Sequence, residues 1–261
     1  MAKDERRYII QSITRALELL EVFSIEEPEL NLTDISRRLD LNPSTTFRVL
    51  VTLHARGYVE QNPDNRKYRL GAACLGLGGV FLSQSDIRTQ ALLVLRNLRD
   101  DCKETVHLGV LAGPEVVYLE KLDPLQPIGF MGSRIGGRVP AHCTALGKAM
   151  LAYKTEAEVR QLYAGPDLPR LTPNTITDLE ELLCELGRIR RCGYALDDEE
   201  NEPGVTCVAV PVRDYAQNAV NAISVSGPTA RIGHAIVEQG LIARVKEAGQ
   251  AISSRLGRAA S

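Results

Sequence analysis

The chain has 261 residues, of which 44% are hydrophobic and 25% are charged, and its formal net charge is −2. This composition is typical of a soluble globular protein, and the length allows one large domain or two ordinary ones. No secretory signal follows the charged residues 3–7, and the most apolar segment, 74–82, is too short to span a membrane. We therefore expect a cytoplasmic protein with no membrane contact, whose six cysteines are reduced thiols.

The first predicted element is an amphipathic helix over residues 12–23. Its apolar residues recur at helical spacing along one side, at Ile13, Ala16, Leu17, Leu20 and Phe23. We expect this side to pack under the two helices that follow it.

Residues 32–70 have the pattern of a winged helix-turn-helix. The first helix begins near Thr33, its predicted N-cap, and a short turn follows it. The second helix begins at Asn42 and Pro43, a capping residue followed by a first-turn proline. Two short strands around a turn at 62–65 then form the wing.

The second helix and the wing carry the residues that could read DNA. Between residues 30 and 70, seven lysines and arginines stand against four aspartates and glutamates, an excess of +3. A helix led by small polar residues can enter a major groove, and a basic wing can hold phosphates. We therefore predict DNA contacts from Ser44, Thr45, Thr46, Arg48 and Thr52 of the helix and from Arg66, Lys67 and Arg69 of the wing.

Thr46 also falls on the stripe that is predicted to be buried, with Val49, Leu50 and Leu53. An ordinary three-helix bundle with a hairpin, or a winged helix that binds protein, would give the same pattern.

After the wing, an apolar connector helix with three glycines is predicted over 72–83, and a further helix begins at 85–86. We then predict strands at 104–112, 115–123, 127–134, 194–200, 205–213 and 219–227, and helices at 143–163, at 178–191 with Thr177 as its cap, and at 233–256. Successive strands flanked by helices favour an antiparallel sheet in an α+β fold. We divide the chain into a DNA-binding domain at 1–71, a linker helix at 72–85 and a second domain at 86–261.

Polar groups of the second domain concentrate near predicted strand ends and turns in three segments, 136–150, 194–207 and 223–228. Residues 142–144 lie where a helix begins, so backbone N–H groups are available there to an anion. Ser224 and Ser226 alternate on a strand and point the same way. Each segment also has an ordinary structural explanation, as a loop, a solvated acidic run, water-facing serines or buried cysteines.

Catalytic and metal sites have less support from the residues. Ser224, His142 and Asp197 could be combined into a triad, but no GxSxG motif surrounds a serine of this set. Cys207 and His142 could pair a thiol with a base, but no family signature supports that pair. A metal could collect only at widely spaced residues, His107, His142, Cys143 and Cys207. We expect no cofactor, no metal and no catalysis. The alternative function is an enzyme or metal-binding domain fused to a winged-helix interaction module.

Taken together, these motifs resemble the IclR family of bacterial transcriptional regulators, from about residue 10 to residue 255. The N-terminal part of the resemblance is SITRALELLEVF, LTDISRRLDLNPSTTFRVLVTLHARGYV and YRLG. The C-terminal part is GGRVPAHCTALGKAMLA, GYALDDEE, GVTCVAVPV and AISVSGP. The two sets in this order are more specific than either alone.

The resemblance implies a winged helix joined by a linker helix to a GAF-like or profilin-like effector domain. It implies operator DNA, a small-molecule effector and further copies of the chain, as homodimer or homotetramer, as partners. Family effectors are often carboxylates or aromatic acids. The family pocket corresponds here to an apolar wall at Ile128 and Met131, helix-start amides at Ala145 and Leu146, and polar groups at Asp197, Cys207, Ser224 and Ser226. Smaller residues than Leu146 are common at its position in the family.

The side chains and backbone groups at these positions fit a carboxylate ligand, with one complication. Backbone N–H groups, two hydroxyls and a thiol are donors for an anion. Asp197 repels an anionic ligand unless it accepts a hydrogen bond from a ligand hydroxyl, is protonated, or pairs elsewhere. The sequence leaves these three alternatives open. It also leaves open whether the regulator represses or activates.

Overall fold

The computed structural model describes residues 8–84, 86–127, 132–165, 168–214 and 216–258. Contacts between residues divide the chain into two compact units, Met1–Gln84 and Ser85–Ser261. Helices and antiparallel strands occur in both, so the predicted α+β class is confirmed. Among the described helices, none combines the length and the apolar character needed to cross a membrane.

The first unit is a winged helix-turn-helix, as predicted. Its elements are α1 (Gln11–Glu21), α2 (Leu32–Arg38), α3 (Pro43–Ala55), β1 (Val59–Gln61), β2 (Tyr68–Leu70) and α4 (Ala72–Gln84). Strands β1 and β2 pair antiparallel to form the wing. The Asn42 side chain caps α3 by accepting a hydrogen bond from the Ser44 amide at 3.0 Å, which agrees with the predicted helix start.

Two local predictions for this unit are wrong. Asn31, not Thr33, caps α2, because Asn31 has the extended backbone of a cap and its side chain accepts from the Asp34 amide at 2.9 Å. In α1 the buried centre is Leu19, while Ile13 and Leu17 are 54% and 56% exposed. Ala16, Leu20 and Phe23 pack against the core as predicted, whereas Ile13 and Leu17 lie outside the inward side of α1 and form an uncovered apolar surface.

The second unit is built on one six-stranded sheet with helices on both faces. Its elements are α5 (Asp86–Cys102), β3 (Thr105–Ala112), β4 (Glu115–Leu122), β5 (Arg138–Pro140), α6 (Ala145–Leu151), α7 (Glu156–Leu162), α8 (Leu179–Cys192), β6 (Ala195–Asp198), β7 (Val205–Arg213), β8 (Ala219–Pro228), α9 (Thr229–Glu238) and α10 (Leu241–Arg258). The strand order is β5-β4-β3-β8-β7-β6, and every neighbouring pair is antiparallel.

Alternation along the central strands gives the two faces of this sheet different chemistry. On one face, Leu108 of β3 and Val225 of β8 pack in a core with residues of α5 and α10. On the other face, Ala222 of β8 packs in a second core with residues of α6 and α8. Polar side chains interrupt this second face at His107 and Ser224, which are directly paired across β3 and β8. The cluster of buried imidazole and hydroxyl groups on these strands therefore lies on the α6 side of the sheet, while the buried Asn221 on the other side donates to the Gly109 carbonyl.

Several predicted element boundaries in this unit differ from the structure. The predicted helix 143–163 is two helices, because Thr155 forms a capping box with Glu158 and starts α7. The predicted helix 233–256 is interrupted at Gly240, whose φ is +62°. Asp178, not Thr177, caps α8 by accepting from the Glu181 amide at 2.9 Å.

The third predicted strand, 127–134, is only partly covered by the described residues. Residues 128–131 of it lie outside the described residues, and 132–134 are not in a strand. Strand β5 forms at Arg138–Pro140, where it pairs with β4.

Candidate functional site

The exposed side of α3 carries most of the residues that were predicted to read DNA. Ser44, Arg48 and Thr52 are exposed, and Thr45 is half-buried. Thr46 is wrong as a DNA contact, because it is 0% exposed and its hydroxyl donates to the Asn42 carbonyl within the unit. Its position on the same stripe as Leu50 and Leu53 had already indicated burial. The predicted DNA-reading surface of α3 therefore consists of the small polar side chains of Ser44, Thr45 and Thr52 and the cation of Arg48.

The wing presents two exposed cations, Arg66 and Lys67, and a third that is already paired. The guanidinium of Arg69 lies 3.3 Å from a Glu60 oxygen and 3.6 Å from a Glu29 oxygen. The two neighbouring carboxylates largely neutralise Arg69, which leaves it less charge to offer a phosphate than Lys67 has.

Glu29 is a residue that the sequence analysis missed, and it anchors the wing. Its carboxylate accepts from the side-chain amides of Asn65 at 2.8 Å and Asn62 at 3.0 Å, and these hydrogen bonds hold the pKa of Glu29 below its ordinary value. The adjacent Leu30 exchanges two backbone hydrogen bonds with Tyr68 of β2. The segment before α2 thus fixes the turn of the wing. A sequence signal was available only in the glutamate itself, because its partners lie more than thirty residues away along the chain.

The second unit contains a cavity of about 280 Å³ between the sheet and the start of α6. The structure brings six residues of the predicted effector set together in its lining: Ala145, Leu146, Asp197, Cys207, Ser224 and Ser226. The predicted apolar wall, Ile128 and Met131, lies outside the described residues. Tyr118, Ser133 and Arg134 also line the cavity and were not among the predicted effector residues.

His107 is the central lining residue, and the sequence analysis considered it only as a metal ligand. Its Nδ1 lies 3.4 Å from the hydroxyl oxygens of both Ser224 and Ser226, and its Nε2 lies 2.8 Å from that of Ser133. Burial lowers the pKa of His107 to about 3, so the imidazole is neutral at physiological pH. A neutral imidazole donates from only one nitrogen and accepts at the other. His107 therefore orients the cavity hydroxyls as a dipole and not as a cation.

Asp197 forms the opposite edge of the cavity, and its Oδ1 is already hydrogen-bonded. It accepts from the backbone amides of Glu200 at 2.8 Å and Asn201 at 3.3 Å. Burial is the largest influence on this carboxyl and raises its pKa from the ordinary 3.8 to about 7. Of the three alternatives left by the sequence, the hydrogen bonds support pairing elsewhere, and the raised pKa adds partial protonation near neutral pH.

The residues of the catalytic alternatives are not assembled into a catalytic arrangement. The Nε2 of His142 lies 3.1 Å from the Pro169 carbonyl, while Ser224 contacts His107. Burial raises the pKa of the Cys207 thiol well above its ordinary value, which opposes formation of a nucleophilic thiolate. Within the described parts of the chain, no three histidine, cysteine, aspartate or glutamate side chains are grouped so that they could hold a metal ion.

The raised pKa of Asp197 leads to a prediction about stability and pH. A carboxyl whose pKa is higher in the folded than in the unfolded protein stabilises the fold less as the pH rises. The loss occurs between the unfolded pKa, about 4, and the folded pKa, about 7. Asn at this position does not titrate and still accepts the two amide hydrogen bonds. The wild type should therefore lose stability relative to Asp197→Asn between pH 4.5 and pH 7.5, as measured by urea unfolding at several pH values.

The exposed neighbour supplies the control, because Asp198→Asn removes a carboxylate one residue away. Its stability should follow the wild-type pH dependence. Parallel curves for the wild type and Asp197→Asn would contradict the prediction.

Comparisons with known proteins agree across both units. Residues 12–63 match the family model for the IclR helix-turn-helix domain, and residues 80–254 match that for the bacterial transcriptional regulator IclR C-terminal domain. The chain is 42% identical over 250 residues to the HTH-type transcriptional regulator XynR of Escherichia coli (strain K12), covering 95% of this chain and 98% of that protein. It is 35% identical over 254 residues to the regulator KdgR of the same strain, covering 97% and 95%.

A solved structure extends the comparison to the fold. The crystal structure of an IclR homolog from Microbacterium hydrocarbonoxydans, complexed with 4-hydroxybenzoate, gives a TM-score of 0.80 at 28% identity, over 94% of this chain and 98% of that chain. Family matches to both units and relatives aligned along nearly the whole sequence show that this chain belongs to the IclR family of bacterial transcriptional regulators.

Proposed function

We propose that this regulator binds operator DNA through α3 and the wing, and that a small organic acid in the cavity of the second unit changes operator occupancy. The observation that carries the proposal is the convergence of six predicted effector residues on one cavity. A regulator of this kind acts where the chromosome is, in the bacterial cytosol. The ligand acts on DNA by favouring one arrangement of the molecule over another.

The lining of the cavity favours an acid with polar substituents. The hydroxyls of Ser224 and Ser226 are buried donors that suit a carboxylate, and Leu146 offers an apolar contact. The IclR homolog mentioned above was crystallised with a hydroxylated aromatic acid, which supports the same ligand class here. A cavity of about 280 Å³ suits a ligand of a few carbons or a single ring better than a larger molecule.

We infer that the cavity binds without catalysing a reaction and uses no cofactor. The neutral His107 and the protonated Cys207 provide hydrogen bonds and not an activated nucleophile. An enzyme or metal-binding domain attached to an interaction module remains the competing function. Turnover of a bound acid, or stoichiometric zinc lost on His142→Ala with Cys207→Ala, would favour it.

A groove of about 810 Å³ in the first unit supports self-association. Apolar side chains that are at least half exposed line it, from α1, α3 and α4: Ile13, Leu17, Phe47, Val51 and Leu77. Such a surface is costly to leave in water. Thr45, Arg48 and Thr52 also line this groove on its α3 side. We propose that a second copy of the chain covers only the α1 and α4 side, at Ile13, Leu17 and Leu77, and leaves the α3 side to DNA. This association also brings two winged helices to one operator, since a single module makes few base contacts.

The assembly is expected to be a dimer or a tetramer that depends on this groove. Leu17→Asp with Leu77→Asp places charges in it and should halve the mass measured by light scattering. Val237→Asp, at an exposed apolar position of α9, is the matched control and should leave the mass unchanged. A wild-type protein that is strictly monomeric would contradict the proposal.

Two substitutions should separate base reading from phosphate contact. Thr45→Ala should relax specificity at one or two base pairs, because its side chain lies on the exposed side of α3. Lys67→Ala should weaken all sequences alike and reduce the slope of log affinity against log salt by about one unit. Both expectations are tested by measuring the affinity of each variant for the DNA upstream of the regulator's own gene and for random DNA at several salt concentrations.

Arg69→Ala is the matched control for Lys67→Ala in the wing. Because Glu29 and Glu60 already pair with Arg69, its removal should change the salt slope less than the removal of Lys67. Equal affinity of the wild type for upstream and random DNA at physiological salt would refute the operator proposal.

The effector proposal is tested by thermal shift with pyruvate, gluconate and 4-hydroxybenzoate. An acid that binds the folded protein raises its melting temperature by mass action. Ser224→Ala with Ser226→Ala should abolish both this shift and the effect of the acid on operator binding, with operator affinity itself intact. Ser254→Ala, at an exposed serine of α10, should keep both responses. A double variant that responds fully would place the effector site elsewhere.

A further inference from the structure

Behind the cavity lies a buried ion pair to which neither the sequence analysis nor the proposed function assigns a role. Lys148 of α6 is 1% exposed, and its ammonium group contacts the carboxylate of Glu200, which is 7% exposed. A second carboxylate, Glu185 of α8, lies 3.9 Å from the ammonium but is itself held by Arg188 through two hydrogen bonds. Glu200 is thus the main partner of Lys148.

The two residues belong to two different segments of the chain whose other residues line the cavity. Lys148 is on the first turn of α6, which begins with the lining residues Ala145 and Leu146. Glu200 belongs to the turn at 197–202, whose residues Asp197, Asn201 and Glu202 also line the cavity. Neither Lys148 nor Glu200 is itself a lining residue. The ion pair therefore connects the two segments from behind.

The turn that carries Glu200 is held at its ends and along its backbone. Asp197 accepts from the amides of Glu200 and Asn201, as described above. The Glu200 carbonyl accepts from the hydroxyls of Thr175 at 2.6 Å and Thr172 at 3.2 Å. These bonds fix the shape of the turn. The Glu200 side chain makes its charged connection to α6, and a weaker contact joins the Cys143 thiol, just before α6, to the Asn201 side-chain oxygen at 3.9 Å. One carboxylate oxygen, Oε2, is buried without a hydrogen-bond partner among the described residues, so the Lys148 contact is the main compensation for burying this group.

We propose that Lys148 and Glu200 are positioning residues for the effector cavity. Their ion pair sets the separation between the start of α6 and the turn at 197–202, and so sets the distance between the ligand groups that the two segments can hold. This inference rests on the proposed effector site. It predicts that breaking the pair lowers effector affinity through geometry, because neither residue lines the cavity.

Three variants separate positioning from simple stability. Glu200→Gln leaves the buried Lys148 with only the Glu185 carboxylate, 3.9 Å away and already bound by Arg188, so it should lower the melting temperature and weaken acid binding. Lys148→Met with Glu200→Gln removes both charges and should recover part of the melting temperature, since an unpaired buried charge is the costlier defect. Acid binding should stay weak in this double variant, because the connection is still missing. Lys148→Arg keeps the charge and should retain more affinity than Lys148→Met.

An ion pair on the other face of the sheet, with one buried partner, provides the control. Glu120 of β4 is 5% exposed and pairs at 2.9 Å with Arg88 of α5, whose side chain is 38% exposed. Glu120→Gln should lower the melting temperature by less than Glu200→Gln, since water can solvate Arg88, and it should leave acid binding unchanged.

The experiment measures binding of pyruvate, gluconate and 4-hydroxybenzoate by calorimetry, and hydrogen exchange of the full-length variants by mass spectrometry. Glu200→Gln should reduce the affinity of whichever acid binds the wild type by roughly tenfold or more, the scale at which loss of a supporting contact weakens a preorganised site. Exchange should accelerate in a peptide that spans 195–204 and stay unchanged in one that spans 219–228.

The outcomes distinguish this inference from the proposed function. Wild-type affinity in the Glu200→Gln and double variants, or affinity that only follows the melting temperature in all variants, would overturn the positioning role. If none of the three acids binds the wild type, the acid-effector proposal fails for these ligands. In that case, hydrogen exchange at 195–204 that is no faster in Glu200→Gln than in the wild type would by itself overturn the proposed connection between the turn and α6.

Discussion

The pairing of β3 with β8 at the centre of the large sheet determines where polar chemistry can occur in the second unit. His107 is directly opposite Ser224, and Ser226 follows two residues later on the same face. The alternate residues of both strands, such as Val106, Leu108, Ile223 and Val225, face an apolar core with α5 and α10. A shift of one residue in β3 would move the imidazole into that core, and the same shift in β8 would move both hydroxyls there, and in either case the polar groups would lose their partners. The same alternation therefore holds the core together and assembles the cavity.

The strands and the family were predictable from sequence because their signals are local. Strand β7 has the predicted bounds, 205–213, and β8 begins where predicted, since alternating β-branched residues and flanking turns mark them directly. The resemblance to the IclR family is confirmed for the same reason, because its motifs are contiguous. The first unit was predictable as a winged helix from one cap, one proline and a hairpin.

The features that could not be predicted depend on partners that are distant in the chain. His107 meets Ser224 across 117 positions, and Glu29 meets Asn65 across 36. The rotation of α1, which leaves Leu17 exposed, is set by how α1 packs on α3 and not by its own apolar pattern. Thr46 has a polar side chain but lies on the buried stripe of α3, so residue type and periodicity gave opposite indications there.

The neutral imidazole at the centre of the cavity has a consequence for ligand discrimination. The exposed Arg134, which also lines the cavity, attracts every anion of suitable size, whereas the array of the His107 imidazole and the three serine hydroxyls interacts through fixed dipoles. Such an array favours a molecule whose oxygen atoms match it and rejects a close analogue that lacks one of them, since the unmatched group stays desolvated and unpaired. On the proposed role of the cavity, the regulator distinguishes metabolites of equal charge by the arrangement of their hydroxyl and carboxyl oxygens. A cell that contains many acids of similar size then obtains a response to one of them.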